Sequence, residues 1–269
     1  TRKTDGTMSN ETNAPEVRMT IEGHVAVISL DNVAKKNSFT PELMNQLSLR
    51  LTEFDNDDNL WVAVLDPAGE HTTAGLDMPK FFGPGATART TPEGQVDAFQ
   101  LAKTCRKPIV AAVQGITYTI GIEMVLACDI VVAADDARFC QMEAKRGLAP
   151  LAGGNFRFLT RMGWGDAMYH LLLVDEFGAA EAHRIGLVQE VVPAGSQVER
   201  ALELAEIIAK NAPIGIQITK LTARKFYEAA EATAIAALPD IRAAVMGTED
   251  MKEGMQSFIE RRPAVFTGR

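Results

Sequence analysis

Residues 119–130 read TIGIEMVLACDI, a run of small and apolar side chains interrupted by one carboxylate, Glu123. The run is preceded by PIVAAVQG (108–115) and followed by DIVVAADD (129–136). Both flanks are short, β-branched and apolar enough to be buried strands, so the middle is a short helix connecting them. Strand, helix, strand is the signature of a parallel sheet. A polar group placed inside such a unit and left unpaired costs about 2–7 kcal/mol. Glu123 therefore has either a partner or a task.

Working outward, VRMTIEG (17–23) and HVAVISL (24–30) read as a hairpin turning at Gly23-His24. Thr40 then caps a helix with Pro41 in its first position, and Leu43, Leu47, Leu51 and Phe54 share one helical face. WVAVLD (61–66) is a further buried strand, and ARFCQ (137–141) another. Strands alternating with helices predict an α/β class with a largely parallel sheet. Beyond about residue 195 the pattern becomes helical, opening on a capping box at Ser196 and Glu199 and broken near Pro213, Pro239 and Gly247-Thr248. The expected organisation is a loose tail over 1–16, an α/β core carrying the active site over 17–195, and a helical region over 196–269. Residues 77–95 hold three prolines, three glycines and the pair Phe81-Phe82, and read as a long irregular loop or broken helix folding over something apolar.

The chain has 269 residues, 46% of them hydrophobic, 23% charged, and a net charge of -8. The acidic balance argues against nucleic acid or an anionic membrane as main partner, while leaving room for an anionic ligand held by local cations or helix N-termini. Cys105, Cys128 and Cys140 are scattered, odd in number and form no CxxC pair, which suits reduced thiols in a cytoplasmic protein. No run is long enough to span a membrane. The sequence contains no P-loop, GxSxG, HExxH, or GxGxxG after the first strand, and its four histidines are far apart. Neither a metal centre nor a hydrolytic triad has support, and no cofactor is expected.

A second carboxylate, Glu143, follows Glu123 by twenty residues, with a strand between them. That topology can set the two acids across one cleft. Each also has a plainer reading: Glu143 as the ion-pair partner of Lys145 or Arg146, Glu123 as a cap on a neighbouring element. Gly75, after WVAVLD, and Gly121, at the start of the apolar helix, mark two strand-to-helix turns. Backbone N–H groups from two such turns are the usual makings of an oxyanion hole, although glycines also serve turns that do nothing else.

Together and in this order the motifs closely resemble the crotonase superfamily, specifically its enoyl-CoA hydratases. TAGLD (73–77), the stretch from Lys107 to Glu143, GLAPLAGGNFRFLTRMG (147–163), EAHRIGLVQEVVP (181–193) and KEGMQSFIERRPAVF (252–266) carry the likeness, which spans roughly residues 17–266. The resemblance implies a spiral of repeated β-β-α units with a C-terminal helical region that serves oligomerisation and covers CoA. It implies a CoA thioester as substrate and a homotrimer or dimer of trimers. It assigns the two acids to Glu123 and Glu143, with Glu143 favoured as proton donor to C2, and the two oxyanion N–H groups to Leu76 and Ile120. Ala74, Gly75, Asp77 and Gly121 fall in the substrate-binding turns. Phe258 and Arg261 match positions that approach the CoA nucleotide from a neighbouring subunit. Lys35 and Lys36 stand where the usual Arg-Pro beside CoA is missing.

Water addition to a conjugated thioester makes the carbonyl oxygen enolate-like, so two N–H donors stabilise it while one carboxylate activates water and a carboxylic acid protonates C2. The acids need environments that separate their pKa values, and the apolar surroundings of Glu123 against the cations beside Glu143 suggest one way. Thr119 and Ile120 replace the family's usual glycines, and Met142 a common proline. These differences, with Tyr118 expected near the acyl group, keep two alternatives open. One is another acyl-CoA reaction of the superfamily, namely double-bond isomerisation, C–C cleavage or thioester hydrolysis. The other is a non-catalytic acyl-CoA binding protein.

Overall fold

The computed structural model describes residues 14–86 and 91–269. Of the expected tail, residues 1–13 lie outside the described residues, as do 87–90 of the irregular segment. Nine strands and nine helices follow along the described residues. They are β1 (Glu16–Glu22), β2 (Val25–Asp31), α1 (Pro41–Asn56), β3 (Val62–Pro67), α2 (Met78–Phe82), β4 (Ile109–Val113), β5 (Ile116–Tyr118), α3 (Ile120–Ala127), β6 (Ile130–Ala134), β7 (Arg138–Cys140), α4 (Gly154–Arg161), α5 (Trp164–Leu173), β8 (Phe177–Gly178), α6 (Ala179–Arg184), β9 (Glu190–Val192), α7 (Gln197–Ala209), α8 (Pro213–Met246) and α9 (Glu249–Glu260).

The main sheet has the order β1-β2-β3-β4-β6-β9, parallel throughout except for the β1–β2 hairpin at its edge. A second sheet, β5-β7-β8, lies one step further along the chain from the main strands. The chain runs from β4 into β5 and from β6 into β7, while β2 and β3 are followed only by single bridges at Phe39 and Thr73, and these repeats make up the β-β-α spiral that the resemblance implied. Strand alternation separates two cores. Ala26, Ile28, Leu30, Ala63, Leu65, Ala111 and Val113 face α1 and α3, whereas Val25, Val27, Val62, Val64, Val110 and Ala112 face Ala201 and Ala205 of α7. The small residues on α7 let that helix lie close to the sheet.

Thr40 caps α1 as the sequence predicts, its hydroxyl accepting the Leu43 N–H at 3.1 Å. Two helix signals in the C-terminal region do not hold. The capping box at Ser196 and Glu199 is not formed: Ser196 has φ -99° and ψ -5°, helical rather than extended, so its hydroxyl makes no cap bond. Pro239 does not break α8, which runs through it for 34 residues. Pro239 is exposed, so the carbonyl it leaves unbonded can meet water. Tyr118 turns away from the acyl side, its hydroxyl bonded to Glu176 beside Arg138. All three cysteines are buried and unpaired. No helix among the described residues is long and apolar enough to cross a membrane.

Candidate active site

The wall of the site is a set of short parallel bridges between turns. Phe39 N–H donates to Gly75 O at 2.9 Å and Asp77 N–H to Phe39 O at 2.8 Å. On the other side Thr73 N–H donates to Ile116 O, Tyr118 N–H to Thr73 O, and Thr119 N–H to Cys140 O. Asn37 anchors the arrangement from below, its amide nitrogen donating to Ala68 O and His71 O. Because Gly75 and Asp77 bond to Phe39, the N–H of Leu76 between them faces the opposite way, and it donates to no backbone carbonyl among the described residues. Ile120 is the first residue of α3, where an N–H has no acceptor within the helix. Both residues line a cavity of about 700 Å³.

Thr119 reaches this geometry at a cost. Its φ of 51° and ψ of -112° belong to glycine territory and are an outlier for a β-branched residue. Gly75 makes room for it: with φ +108°, a methyl group there would stand 2.6 Å from Thr119 Oγ1. Gly121 serves packing in the same way, since a methyl group on it would meet Thr73 Cγ2 at 2.5 Å.

Glu123 and Glu143 open onto the same cavity. Glu123, 2% exposed on α3, accepts the N–H groups of Ala152 at 2.8 Å and Gly154 at 2.9 Å on one oxygen, Oε1. Burial pushes its carboxyl up to about 7, while those two N–H groups and Arg157 pull the other way. Glu143 opens a 3₁₀ turn over Glu143–Arg146, with Oε1 accepting from Gln141 Nε2 at 3.0 Å. Its Oε2 is buried and has no hydrogen-bond partner among the described residues. Burial, then the neighbouring Glu123 charge, holds Glu143 well above the ordinary carboxylate range. The sequence suggested that Lys145 and Arg146 would help set the two acids apart from the Glu143 side. Instead neither forms an ion pair with Glu143, and Arg146 lies over the Phe258 ring at 5.0 Å. The separation comes from the Glu123 side, through backbone donors and a buried arginine. Two acids so close share protons as a pair, and Glu143 is the one the surroundings keep protonated.

Ala74, Leu76, Ile120, Glu123, Glu143 and Phe258 all line the cavity. Phe258 does so from its own chain, because α9 packs on the 3₁₀ turn that carries Glu143. Asp77 sits at the start of α2 and pairs with Lys35 at 2.8 Å. Lys35, Lys36 and Arg261 are exposed and outside the cavity lining. Phe81 and Phe82, on α2, form part of the apolar wall with Met44, Phe99 and Leu101. Sequence reading missed Ala152, Gly154, Arg157 and Gln141, which hold the two acids, and Arg242 and Met246 of α8, which line the cavity. The Gly153-Gly154 pair opening α4 was the available signal, since paired glycines before a helix leave N–H groups accessible.

The fold and its paired acids define a crotonase-type protein. The enoyl-CoA hydratase/isomerase family profile matches residues 20–269, and the chain belongs to that family. Enoyl-CoA hydratase EchA19 of Mycobacterium tuberculosis is 30% identical over 97% of this chain and 100% of its own length. The short-chain-enoyl-CoA hydratase of Clostridium acetobutylicum is also 30% identical, over 90% of this chain and 93% of its own. Among solved structures, a carnitinyl-CoA dehydratase from Mycobacterium avium 104 superposes with a TM-score of 0.86 at 31% identity, covering 95% of this chain and 100% of that one.

Proposed function

We propose that the protein adds water across the 2,3 double bond of a trans-2-enoyl-CoA. The observation that carries this reading is the pair Glu123 and Glu143 in one cavity, one acid held by backbone N–H groups and the other with an unpartnered oxygen. The thioester oxygen takes the N–H groups of Leu76 and Ile120, each such donor contributing about 2.7–4 kcal/mol to an oxyanion. Glu123, ionised, removes a proton from water as the water oxygen bonds to C3. Electron density moves from the double bond onto the thioester oxygen, and Glu143 gives its proton to C2 as the enolate collapses. No cofactor is required, because CoA arrives as part of the substrate. Ala74, Gly75, Asp77 and Gly121 shape the turns that present the two donors, while Phe258 covers the carrier side. Lys35, Lys36 and Arg261 supply exposed positive charge for the CoA phosphates.

The acyl chain meets apolar walls from Met44, Phe81, Phe82 and Phe99. Self-association into trimers is supported by α8, none of whose residues is buried in the single chain, with Ile214, Ile218 and Phe226 exposed. Buried, unpaired cysteines suit work in the cytoplasm. Purified protein mixed with a short and a long trans-2-enoyl-CoA should abolish the conjugated thioester absorbance, with a product heavier by one water. A product of unchanged mass would assign isomerisation instead, and binding without turnover would assign a carrier role.

A further inference from the structure

Behind Glu123 lies a set of buried polar contacts that the hydration chemistry does not use. Arg157 on α4 is 2% exposed. One guanidinium nitrogen donates to Phe99 O, the other to Gln100 O at 2.9 Å, and Nε pairs with Glu231 Oε1 at 3.2 Å. Glu231 belongs to α8, a helix that buries none of its own residues, and Arg224 approaches its other oxygen at 3.7 Å. The arginine is tied to the turn that holds the acid, its backbone N–H donating to Gly153 O at 2.8 Å. A methyl group on Gly153 would stand 3.2 Å from Arg157 Cδ, and one on Gly154 would stand 3.2 Å from Glu123 Oε1. Gly153-Gly154 is thus the spacer between a buried cation and a buried carboxylate, and the N–H groups of Gly154 and of Ala152 just before the pair donate to that carboxylate.

We propose that Arg157 and Glu231 form a positioning pair for Glu123, through which α8 braces the Ala152–Gly154 turn and sets the charge that this carboxylate experiences. Burying a guanidinium is costly unless it is paired and hydrogen-bonded, and here all three of its nitrogens donate, two to the loop carbonyls of Phe99 and Gln100 and Nε to Glu231 of α8. The charged groups facing Glu123 are Glu143 from the 3₁₀ turn and Arg157 from α4. Those facing Arg157 are Glu123, Glu231 and Arg224. Arg157 favours the ionised form of Glu123, and Glu231 moderates that effect. The kinetic half of the proposal rests on the hydration reading above; the electrostatic half does not.

The test is the titration of Glu123 in the ligand-free protein, followed by carboxyl carbon NMR with Glu123→Gln for assignment, beside the acid limb of kcat/KM for an enoyl-CoA. Arg157→Met should move both upward by about one pH unit. Glu231→Gln, which leaves the arginine unopposed, should move both downward. Arg157→Lys keeps the charge but loses the fork, and should lower kcat with the limb nearly in place. A purely structural role would destabilise Arg157→Met and Glu231→Gln alike and leave Glu123 titrating as before, which would overturn the proposal. Should Arg157→Met fail to fold, an unshifted Glu231→Gln overturns it equally. Opposite titration shifts in a protein that hydrates no enoyl-CoA would sustain the pair and remove the hydratase reading. Normal hydration with an unmoved titration would do the reverse.

Discussion

The N–H of Gly154 meets Glu123 Oε1 at 2.9 Å, and the glycine's missing side chain leaves the space that Glu123, Gln141 and Pro150 occupy. A methyl group there would stand 3.0 Å from Gln141 Nε2 and 3.1 Å from Pro150 Cβ. Gln141 is the residue that donates to Glu143, so one added carbon presses on the supports of both acids. Gly154→Ala should therefore lower kcat by about 100-fold, the scale of a misplacement near 1 Å. Its thermal stability should fall by only about 1 kcal/mol, as for modest overpacking. Steady-state kinetics and a melting curve on the same preparation check this.

The two acids should fail differently when neutralised. Glu143→Gln keeps the shape and the Gln141 neighbour but has no proton to give C2, so kcat should fall by about 10²–10⁴. Glu123→Gln loses the base, and its new amide group also faces the N–H groups of Ala152 and Gly154, with only the amide oxygen able to accept from them. Its loss in rate should be of the same size. Kinetics on one enoyl-CoA for both variants separates the assignments.

The pH dependence follows from burial. Glu123 must be ionised to take a proton, and burial pushes it up to about 7, so the rate should fall as pH drops below neutrality. Glu143 must keep its proton, which burial and the neighbouring Glu123 charge favour by raising its pKa, so the rate should fall again once the pH is high enough to remove that proton. Stability has a definite sign. A carboxyl whose folded pKa is raised contributes fully below its unfolded value of about 4.3, and that contribution fades as pH rises through the folded value. Glu143→Gln removes the fading term. Its melting temperature should therefore exceed the parent's by more at pH 8 than at pH 5. The margin is roughly 1.4 kcal/mol for each unit by which Glu143 is raised.

Much of this was legible because the informative signals are local. The alternation of strand and helix, Thr40-Pro41 as a helix start, and a lone carboxylate in an apolar helix each report on their own neighbourhood. What was hidden depends on contacts between distant segments. The environment of Glu123 is set by residues 29 and 31 positions later, at Ala152 and Gly154, and by Arg157 on the same helix as Gly154. Lys145 and Arg146 sit beside Glu143 in sequence, but a 3₁₀ turn sends their charges elsewhere. Tyr118 precedes Thr119, yet strand alternation points it to the opposite side, at Glu176. Sequence proximity misleads wherever a turn or a strand reverses direction between neighbours.

Thr119 offers a test of strain. Holding a β-branched residue at φ 51° and ψ -112° costs on the order of 1–3 kcal/mol. Glycine relieves that but loses more chain entropy on folding, roughly 0.5–1 kcal/mol. Thr119→Gly should thus stabilise the protein by about 1 kcal/mol. Gly75→Ala should be severe in the parent, where the new methyl meets Thr119 Oγ1 at 2.6 Å, and milder beside Thr119→Gly. A double-mutant cycle by denaturant melting should return a coupling of about 1–3 kcal/mol; additive effects would show that the two residues do not share this space.

The contact between Gly254 and Arg146 carries the last prediction. A methyl group on Gly254 would stand 2.4 Å from the Arg146 carbonyl carbon and oxygen, and one on Gly147 would meet Met251 Cα at 2.6 Å. Helix α9 therefore lies backbone to backbone on the 3₁₀ turn that begins with Glu143. Backbone atoms cannot swing aside as a flexible side chain does, so Gly254→Ala must lift the helix, move the turn, or both. Moving the turn displaces the proton donor, and lifting the helix withdraws Phe258 from the cavity wall. Stability should fall by about 1–3 kcal/mol. The kinetic signature distinguishes the two responses: a lower kcat at constant KM reports a displaced Glu143, whereas a higher KM at constant kcat reports the withdrawn Phe258. The helix has the freer path, since the 3₁₀ turn is fixed at its far end by Leu148 N–H on Glu143 O at 3.0 Å. The larger change is expected in KM.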